Sequence, residues 1–305
     1  IVKGARQIGK TKAIEFFAGN HYKSVIEINF VLQKQYKSIF DNGFEVDTIL
    51  KNISLINQNF EFPAGETLFF FDEIQEFPEI CTSFKFFAQD GRYDVIASGS
   101  LLGVHYKRIE SVSVGYQETE LLRSMDFEEF LWAQGDEATM PLVRQSFDRL
   151  LPLGRDEHEL TMNRFREYMV VGGMPQAVAA YLETHDLSAV DQVKRDILEL
   201  YRADMFKFAG TLKAKVRAVF NAIPASLSRH EKRVVLADIR DNAKMRDFDS
   251  TFEWLAASMI VNRTSGWSSM RIGQRLSATW EIPGSWSAMP SVKTNWRRRT
   301  FMRGF

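Results

Sequence analysis

Short apolar runs alternate with segments of helical spacing over the first hundred residues of the chain. Residues 24–30 alternate between apolar and polar positions and are rich in β-branched side chains, which predicts a strand. Residues 67–71 are a continuous apolar run, typical of a strand that is buried on both faces of a parallel sheet, and residues 94–97 predict another buried strand. Segments of helical spacing lie between them, at residues 31–40, 46–57 and 78–88. The alternation predicts an α/β fold with a parallel sheet.

Helical periodicity dominates the chain after this α/β region. Asp126 is expected to cap the first helix, with Glu129 completing a capping box. Residues 187–208 predict a long amphipathic helix, and breaks are expected at residues 172–175 and 222–224, which both end in proline. The predicted organisation is an α/β domain at 1–124, a helical domain at 125–225, a candidate winged-helix unit at 226–263 and a basic tail of anomalous composition at 264–305.

The first loop of the chain carries a distinct pattern, G-x-x-x-x-G-K-[ST], in the residues Gly4, Ala5, Arg6, Gln7, Ile8, Gly9, Lys10 and Thr11. The end of a strand at residues 1–3 precedes it and helix-compatible residues 12–18 follow it. The loop would therefore lie at a helix N-terminus, where the dipole favours anions. Lys10 is expected to reach the β- and γ-phosphates of a nucleotide, and Thr11 to ligate Mg²⁺. The pattern predicts a P-loop whose residues 4–11 all contact the cofactor.

Two adjacent carboxylates, Asp72 and Glu73, follow the apolar run at 67–71. An apolar strand that ends in Asp-Glu is the Walker B arrangement of AAA-type ATPases. Asp72 would hold Mg²⁺ through water, and Glu73 would activate the attacking water, so Glu73 and Lys10 are the predicted catalytic residues. At the end of the next strand, Ser98 or Ser100 could serve as a polar sensor, and Ser100 is assigned to the nucleotide. The predicted cofactors are ATP and Mg²⁺.

Composition narrows the class of protein. One cysteine among 305 residues excludes a disulfide framework. With no secretory signal and no run of 18 apolar residues, we expect a cytoplasmic protein with no membrane partner. The net charge is zero, but residues 264–305 hold seven Lys/Arg, one acid and four of the six tryptophans. A nucleic-acid arm, a disordered extension and translation out of frame are the three interpretations of this tail, and we favour the last.

Five blocks of sequence carry a resemblance to a known family. They are residues 4–11, 70–75 (FFDEIQ), 97–103 (ASGSLLG), 125–133 (MDFEEFLWA) and 171–178 (VGGMPQAV). Together they resemble the prokaryotic AAA-like ATPases that carry a C-terminal domain of unknown function. The resemblance covers residues 1 to about 263 and implies ATP binding, ATP hydrolysis and assembly into homo-oligomers. Because Ile1 falls inside the first strand, and the tail replaces the family's C-terminal domain, we expect a chain that is truncated at both ends.

Several functional alternatives remain open at this level. Arg92, Arg108 and Arg123 are all candidates for an arginine finger. The main alternative to an ATPase is an ATP-switched, DNA-binding regulator, motivated by cationic residues in the candidate winged-helix unit: His230, Lys232, Arg233, Arg240, Lys244 and Arg246. A small-molecule kinase and a non-functional remnant are the remaining hypotheses. Walker B Asp-Glu argues against the kinase, because kinases of this fold need no water-activating Glu.

Overall fold

The computed structural model describes residues 1–100, 115–228, 239, 244–265 and 276–279. The chain divides into two compact units, of which the first comprises Ile1–Leu122 and the second begins at Arg123. Each unit has its own set of elements and its own buried core.

The first unit is built on a parallel five-stranded sheet. Its strands are β1 (Val2–Lys3), β2 (Ser24–Asn29), β3 (Thr67–Asp72), β4 (Asp94–Gly99) and β5 (Glu120–Leu121). They lie in the order β2-β3-β4-β1-β5 and all pair in parallel. Every residue of β3 is buried, as its continuous apolar sequence predicts. The sheet confirms the predicted α/β fold.

Helices connect the strands of this sheet. They are α1 (Lys10–His21), α2 (Val46–Ile56) and α3 (Ser83–Asp90), with 3₁₀ turns at Lys34–Phe40, Ile74–Glu76 and Pro78–Thr82. Aromatic rings fill the core against β3: the Phe69 ring lies 5.1 Å from that of Phe87, and Phe71 and Phe30 stack at 6.2 Å. This packing fixes the carboxyl ends of the strands, where the site residues lie.

The second unit is mainly helical. Its helices are α4 (Phe127–Ala133), α5 (Thr139–Asp148), α6 (Arg155–Val171), α7 (Pro175–Thr184), α8 (Leu187–Phe208), α9 (Lys213–Leu227) and α10 (Asp249–Ala257), with 3₁₀ turns at Gly210–Leu212 and Met245–Asp247. A two-stranded antiparallel pair, β6 (Asn262–Ser265) and β7 (Leu276–Thr279), follows. The predicted long helix at 187–208 and the predicted break before Pro175 are confirmed.

The capping prediction for α4 is also confirmed. The Asp126 carboxylate accepts a hydrogen bond from the Glu129 backbone at 2.9 Å, and the Glu129 carboxylate accepts one from the Asp126 backbone at 2.9 Å. The two reciprocal bonds satisfy donors that the first turn of a helix leaves unpaired.

Three local predictions need correction. The expected break at residues 222–224 is wrong, because α9 continues through Pro224. Proline removes one hydrogen bond, but Val219 and Ile223 beside it are fully buried, and this packing keeps the helix intact. Residues 31–40 form only a 3₁₀ turn, and the segment at 78–88 divides into a 3₁₀ turn followed by α3.

Some predictions fall outside the described residues. These are the arginine-finger candidate Arg108, the cationic residues His230, Lys232, Arg233 and Arg240, and most of the 264–305 tail. Within the part of the chain that is described, no helix has the length and apolar character needed to cross a bilayer.

Candidate nucleotide-binding site

The G-x-x-x-x-G-K-T loop joins β1 to α1, so the predicted order of strand, loop and helix is confirmed. Gly9 immediately precedes α1 with a φ of 84°, a left-handed conformation that glycine adopts without strain. Gly4 lies where a side chain does not fit: an added Cβ would be 2.5 Å from the carbonyl oxygen of Leu122. The two glycines therefore allow a tight loop at the start of the helix.

Lys10 is folded back onto this loop. Its Nζ donates hydrogen bonds to the carbonyl oxygens of Ala5 at 2.8 Å and Gly4 at 3.2 Å. Burial lowers the pKa of Lys10 from 10.5 to about 8, against the opposing effect of the nearby carboxylates of Glu73 and Asp72. A buried ammonium enclosed by loop backbone is well placed to meet an anionic group that enters the loop.

Asp72 is the hub of the polar contacts at the carboxyl ends of the strands. Its Oδ2 accepts hydrogen bonds from the Thr11 hydroxyl at 3.0 Å and the Asn29 amide at 3.1 Å. Its Oδ1 accepts from the Ser98 hydroxyl and, at 2.9 Å, from the Glu73 backbone. The residue is 3% exposed, so the carboxylate is held in one orientation by α1, both neighbouring strands and its own loop.

Glu73 occupies a left-handed backbone conformation, with φ 56° and ψ 43°. Its Oε2 accepts a hydrogen bond from the side-chain amide of Gln75. Gln75 is 7% exposed, and its Oε1 has no hydrogen-bond partner. The chain thus leaves β3 through a sharp turn at Glu73, and the buried side-chain amide of Gln75 donates a hydrogen bond to the Glu73 carboxylate.

The structure brings together part of the predicted site. Lys10, Thr11, Asp72 and Ser98 contact one another or the loop backbone. Ser100 is buried just past the end of β4, and its assignment to the nucleotide stays a prediction, like those of the other loop residues. Among the arginine-finger candidates, Arg92 is engaged in ion pairs with Asp47 and Asp90.

Sequence reasoning missed the contributions of Asn29 and Gln75. Asn29 is the last residue of β2, and the parallel register places it directly opposite Asp72. Its Oδ1 also accepts hydrogen bonds from the backbone N–H groups of Val31 and Leu32. A polar residue at the end of the strand that neighbours β3 was the available signal. For Gln75 the signal was weaker, since the 3₁₀ turn that returns it to Glu73 has no distinctive pattern.

The donors at this site suit Mg²⁺. The Asp72 carboxylate and the Thr11 hydroxyl provide two oxygen donors 3.0 Å apart, and Mg²⁺ prefers oxygen. The described residues contain no group of three or more His, Cys, Asp or Glu side chains that could hold a metal ion. Two oxygen donors suit Mg²⁺, which is usually bound through one or two protein oxygens and completed by phosphate and water.

Comparison with known proteins agrees with this geometry. Residues 1–131 match the family model of the AAA domain, and residues 162–280 match that of a domain of unknown function (DUF8612). The second match passes the start of the tail at residue 264. The chain thus has a region similar to the AAA domain followed by a region similar to a domain of unknown function, and the first match supports an ATP-binding P-loop function of the ATPase type.

The remaining comparisons add little. No curated protein matches the chain. The crystal structure of Cdc6p from Pyrobaculum aerophilum is similar at 14% identity, over 87% of this chain and 81% of that one, with a TM-score of 0.32. A similarity at this level carries no argument about the site.

Proposed function

With an AAA domain as the premise, we propose that this chain binds Mg·ATP in the loop at residues 4–11 and hydrolyses it. The observation that carries the proposal is the 3.0 Å hydrogen bond between Thr11 Oγ1 and Asp72 Oδ2, beside the buried Lys10 ammonium. A hydroxyl, a carboxylate and an ammonium on two separate elements are the groups that Mg·ATP requires.

The phosphates of ATP would replace the loop carbonyls as the partners of Lys10. Those carbonyls offer only partial negative charges, whereas the β- and γ-phosphates would offer full ones. Thr11 and Asp72 would hold Mg²⁺, which neutralises phosphate charge when it is bound. The N-terminus of α1 adds the positive end of a helix dipole.

Glu73 is the residue of this chain suited to accept a proton from the attacking water. It follows Asp72 directly, and the turn at Glu73 takes its side chain away from the ladder of β3. Gln75 would fix the carboxylate during this step, since its amide already binds Oε2. Hydrolysis then needs no acceptor other than water, which distinguishes an ATPase from a kinase.

A Glu73→Gln variant tests the proposal. We expect it to bind Mg·ATP with wild-type affinity in a titration, and to lose phosphate release measured without any acceptor substrate. Glu79→Gln is the matched control, because Glu79 is exposed on the next turn and has no place in the site. Unchanged phosphate release in Glu73→Gln removes Glu73 from the role of base; failure of wild-type protein to bind ATP contradicts the proposed function as a whole.

We further propose that nucleotide binding repositions the helical unit and that the chain assembles into homo-oligomers. Hydrogen exchange of the second unit with and without Mg·ATP tests the first point, and mass measurement in solution tests the second.

DNA binding through the candidate winged-helix unit is the alternative function. Two cations of that unit lie in the described part of the chain, Lys244 and Arg246, and both are exposed. Arg246 pairs with Asp247 at 4.0 Å, so Lys244 is the exposed cation of the described part that favours this alternative, because an exposed ammonium can contact phosphates. Replacing Arg246 together with Arg233 and Arg240 tests it by the loss of salt-dependent DNA binding.

A further inference from the structure

A segment of the second unit concentrates positive charge without any acid. Residues 205–228 contain no aspartate or glutamate, and they carry four cations, namely Lys207, Lys213, Lys215 and Arg217. All four are exposed. The segment spans the end of α8, a short 3₁₀ turn and α9, so the charge lies on regular structure.

Two arginines elsewhere on α8 are neutralised by neighbours. Arg195 pairs with Asp191 at 2.8 Å, and Arg202 pairs with Glu199. By contrast, no carboxylate within the described ranges forms an ion pair with Lys213, Lys215 or Arg217. Lys215 donates to a backbone carbonyl, that of Asp247, at 2.8 Å. The field of these cations is therefore available to an anionic partner.

An aromatic ring lies within this charged surface. Phe206 is 71% exposed, which is a large exposure for a phenylalanine, and the Lys213 ammonium lies 4.5 Å from its ring centroid. The large apolar side chains of α9 point inward instead: Val216, Val219 and Ile223 are fully buried. A membrane-binding helix needs a broad exposed apolar face, and the described side chains of α9 form none. One exposed ring among cations suits a partner that offers both phosphates and flat bases.

We propose that the α8–α9 cationic surface formed by Phe206, Lys213 and Arg217, of which the last two lie four residues apart on one face of α9, binds single-stranded nucleic acid. Phosphates contact the cations, and one unpaired base stacks on the exposed face of Phe206. A duplex keeps its bases stacked inside, so it offers this ring nothing comparable. The inference does not depend on ATP binding, because every residue that carries it lies in the second unit.

The test uses the full chain and a fluorescently labelled 20-nucleotide oligo(dT), with binding followed by anisotropy. If Lys213 and Arg217 neutralise two phosphates, the logarithm of the association constant falls with the logarithm of salt with a slope of about −1.4. Affinity then drops roughly sevenfold between 50 and 200 mM salt. Lys213→Ala/Arg217→Ala removes both contacts, so the same change of salt should leave the remaining affinity nearly unchanged.

Two matched controls distinguish binding at this surface from an effect of net charge and from nonspecific binding to exposed aromatic rings. Arg195→Ala/Arg202→Ala removes two cations from α8 that are already ion-paired, and it should leave the salt slope unchanged. Phe206→Leu should weaken binding at least about fivefold through lost stacking. Phe147→Leu should have no effect, since Phe147 is 77% exposed on α5, outside the surface.

Three results would overturn the inference. The first is no binding of oligo(dT) at 50 mM salt. The second is equal loss of affinity in the Lys213/Arg217 and Arg195/Arg202 variants, which would indicate a net-charge effect only. The third is that the wild-type protein binds phosphatidylserine vesicles and not oligo(dT), and that the Lys213/Arg217 variant no longer binds the vesicles. Titration of the same variants with Mg·ATP shows whether the P-loop is intact, so failure here is distinguishable from failure of the proposed ATPase.

Discussion

Replacing Lys10 by Met is expected to stabilise the nucleotide-free protein while removing its response to ATP. Lys10 is buried, and burial lowers its pKa from 10.5 to about 8, so at pH 7 the native state holds a charge that the unfolded chain accommodates better. Methionine has similar length and no charge. The two hydrogen bonds from Nζ to the Ala5 and Gly4 carbonyls are lost in this variant, at a cost of about 1 kcal/mol each.

The pH dependence of stability gives the size and the sign of the contribution that the Lys10 charge makes to the free energy of unfolding. Between the native pKa of about 8 and the unfolded value of 10.5, the unfolded chain binds more protons, so stability rises with pH in this window. One pKa unit corresponds to about 1.4 kcal/mol, so the penalty at pH 7 is about 3 kcal/mol. Most of it, about 2.5 kcal/mol, disappears by pH 10. The cost of losing the two hydrogen bonds to the Ala5 and Gly4 carbonyls does not change with pH in this way.

The assay is urea unfolding of wild type and Lys10→Met, without nucleotide, at pH 7, 8, 9 and 10. The variant's advantage should shrink by about 2.5 kcal/mol across the series, and groups common to both proteins cancel in the difference. Lys12→Met is the matched control: the Lys12 side chain is 72% exposed, and its difference from wild type should stay nearly constant. Adding Mg·ATP should stabilise wild type only. A Lys10→Met difference that does not change with pH would refute the reasoning.

Two further substitutions probe how the site is held. Gly4→Ala would place a Cβ 2.5 Å from the Leu122 carbonyl oxygen, so we expect a loss of roughly 1–3 kcal/mol in urea unfolding and weakened ATP binding. Gly19→Ala, in open space on α1, should instead be neutral or stabilising by up to about 1 kcal/mol; equal effects would contradict the close approach. Asn29→Ala breaks a hydrogen bond to the Asp72 carboxylate and two from backbone N–H groups, so we expect about 1–3 kcal/mol of destabilisation. Asn20→Ala removes one exposed bond and should stay within about 0.5 kcal/mol of wild type, and a similar result for Asn29 would show that its bonds contribute little.

The sequence predicts the sheet and the P-loop well because both depend on local pattern. A continuous apolar run fits a strand that is covered on both faces of the sheet, and every residue of β3 is buried. The prediction of a break at residues 222–224 was wrong because the outcome there does not depend on local pattern. Pro224 disfavours a helix locally, but the burial of its neighbours outweighs that local preference. Local propensity is therefore a poor guide where tertiary packing is strong.

The contacts around Asp72 could be predicted only in part. The sequence patterns single out Thr11 and Asp72, and the structure joins the two residues by a 3.0 Å hydrogen bond. Asn29 reaches the same carboxylate because of the β2–β3 register, which depends on the pairing of the whole strand. Gln75 reaches Glu73 because the chain turns left-handed at Glu73, which composition does not reveal. The contacts that the sequence did not predict are those that depend on the pairing register of β2 with β3 and on the backbone turn at Glu73.

Backbone strain gives an independent reason to regard this site as built for a ligand. Five non-glycine residues in the described part of the chain have positive φ: Gln7, Glu73, Leu150, His185 and Met259. The last three follow the ends of helices, where a left-handed residue is the ordinary way to terminate. The other two lie in the loop between β1 and α1 and directly after Asp72, where they do not terminate a preceding helix. Each costs about 1–3 kcal/mol, in addition to the buried ammonium of the loop. A ligand present at about 1,000 times its dissociation constant stabilises the folded state by about 4 kcal/mol, so binding of ATP would offset much of this strain.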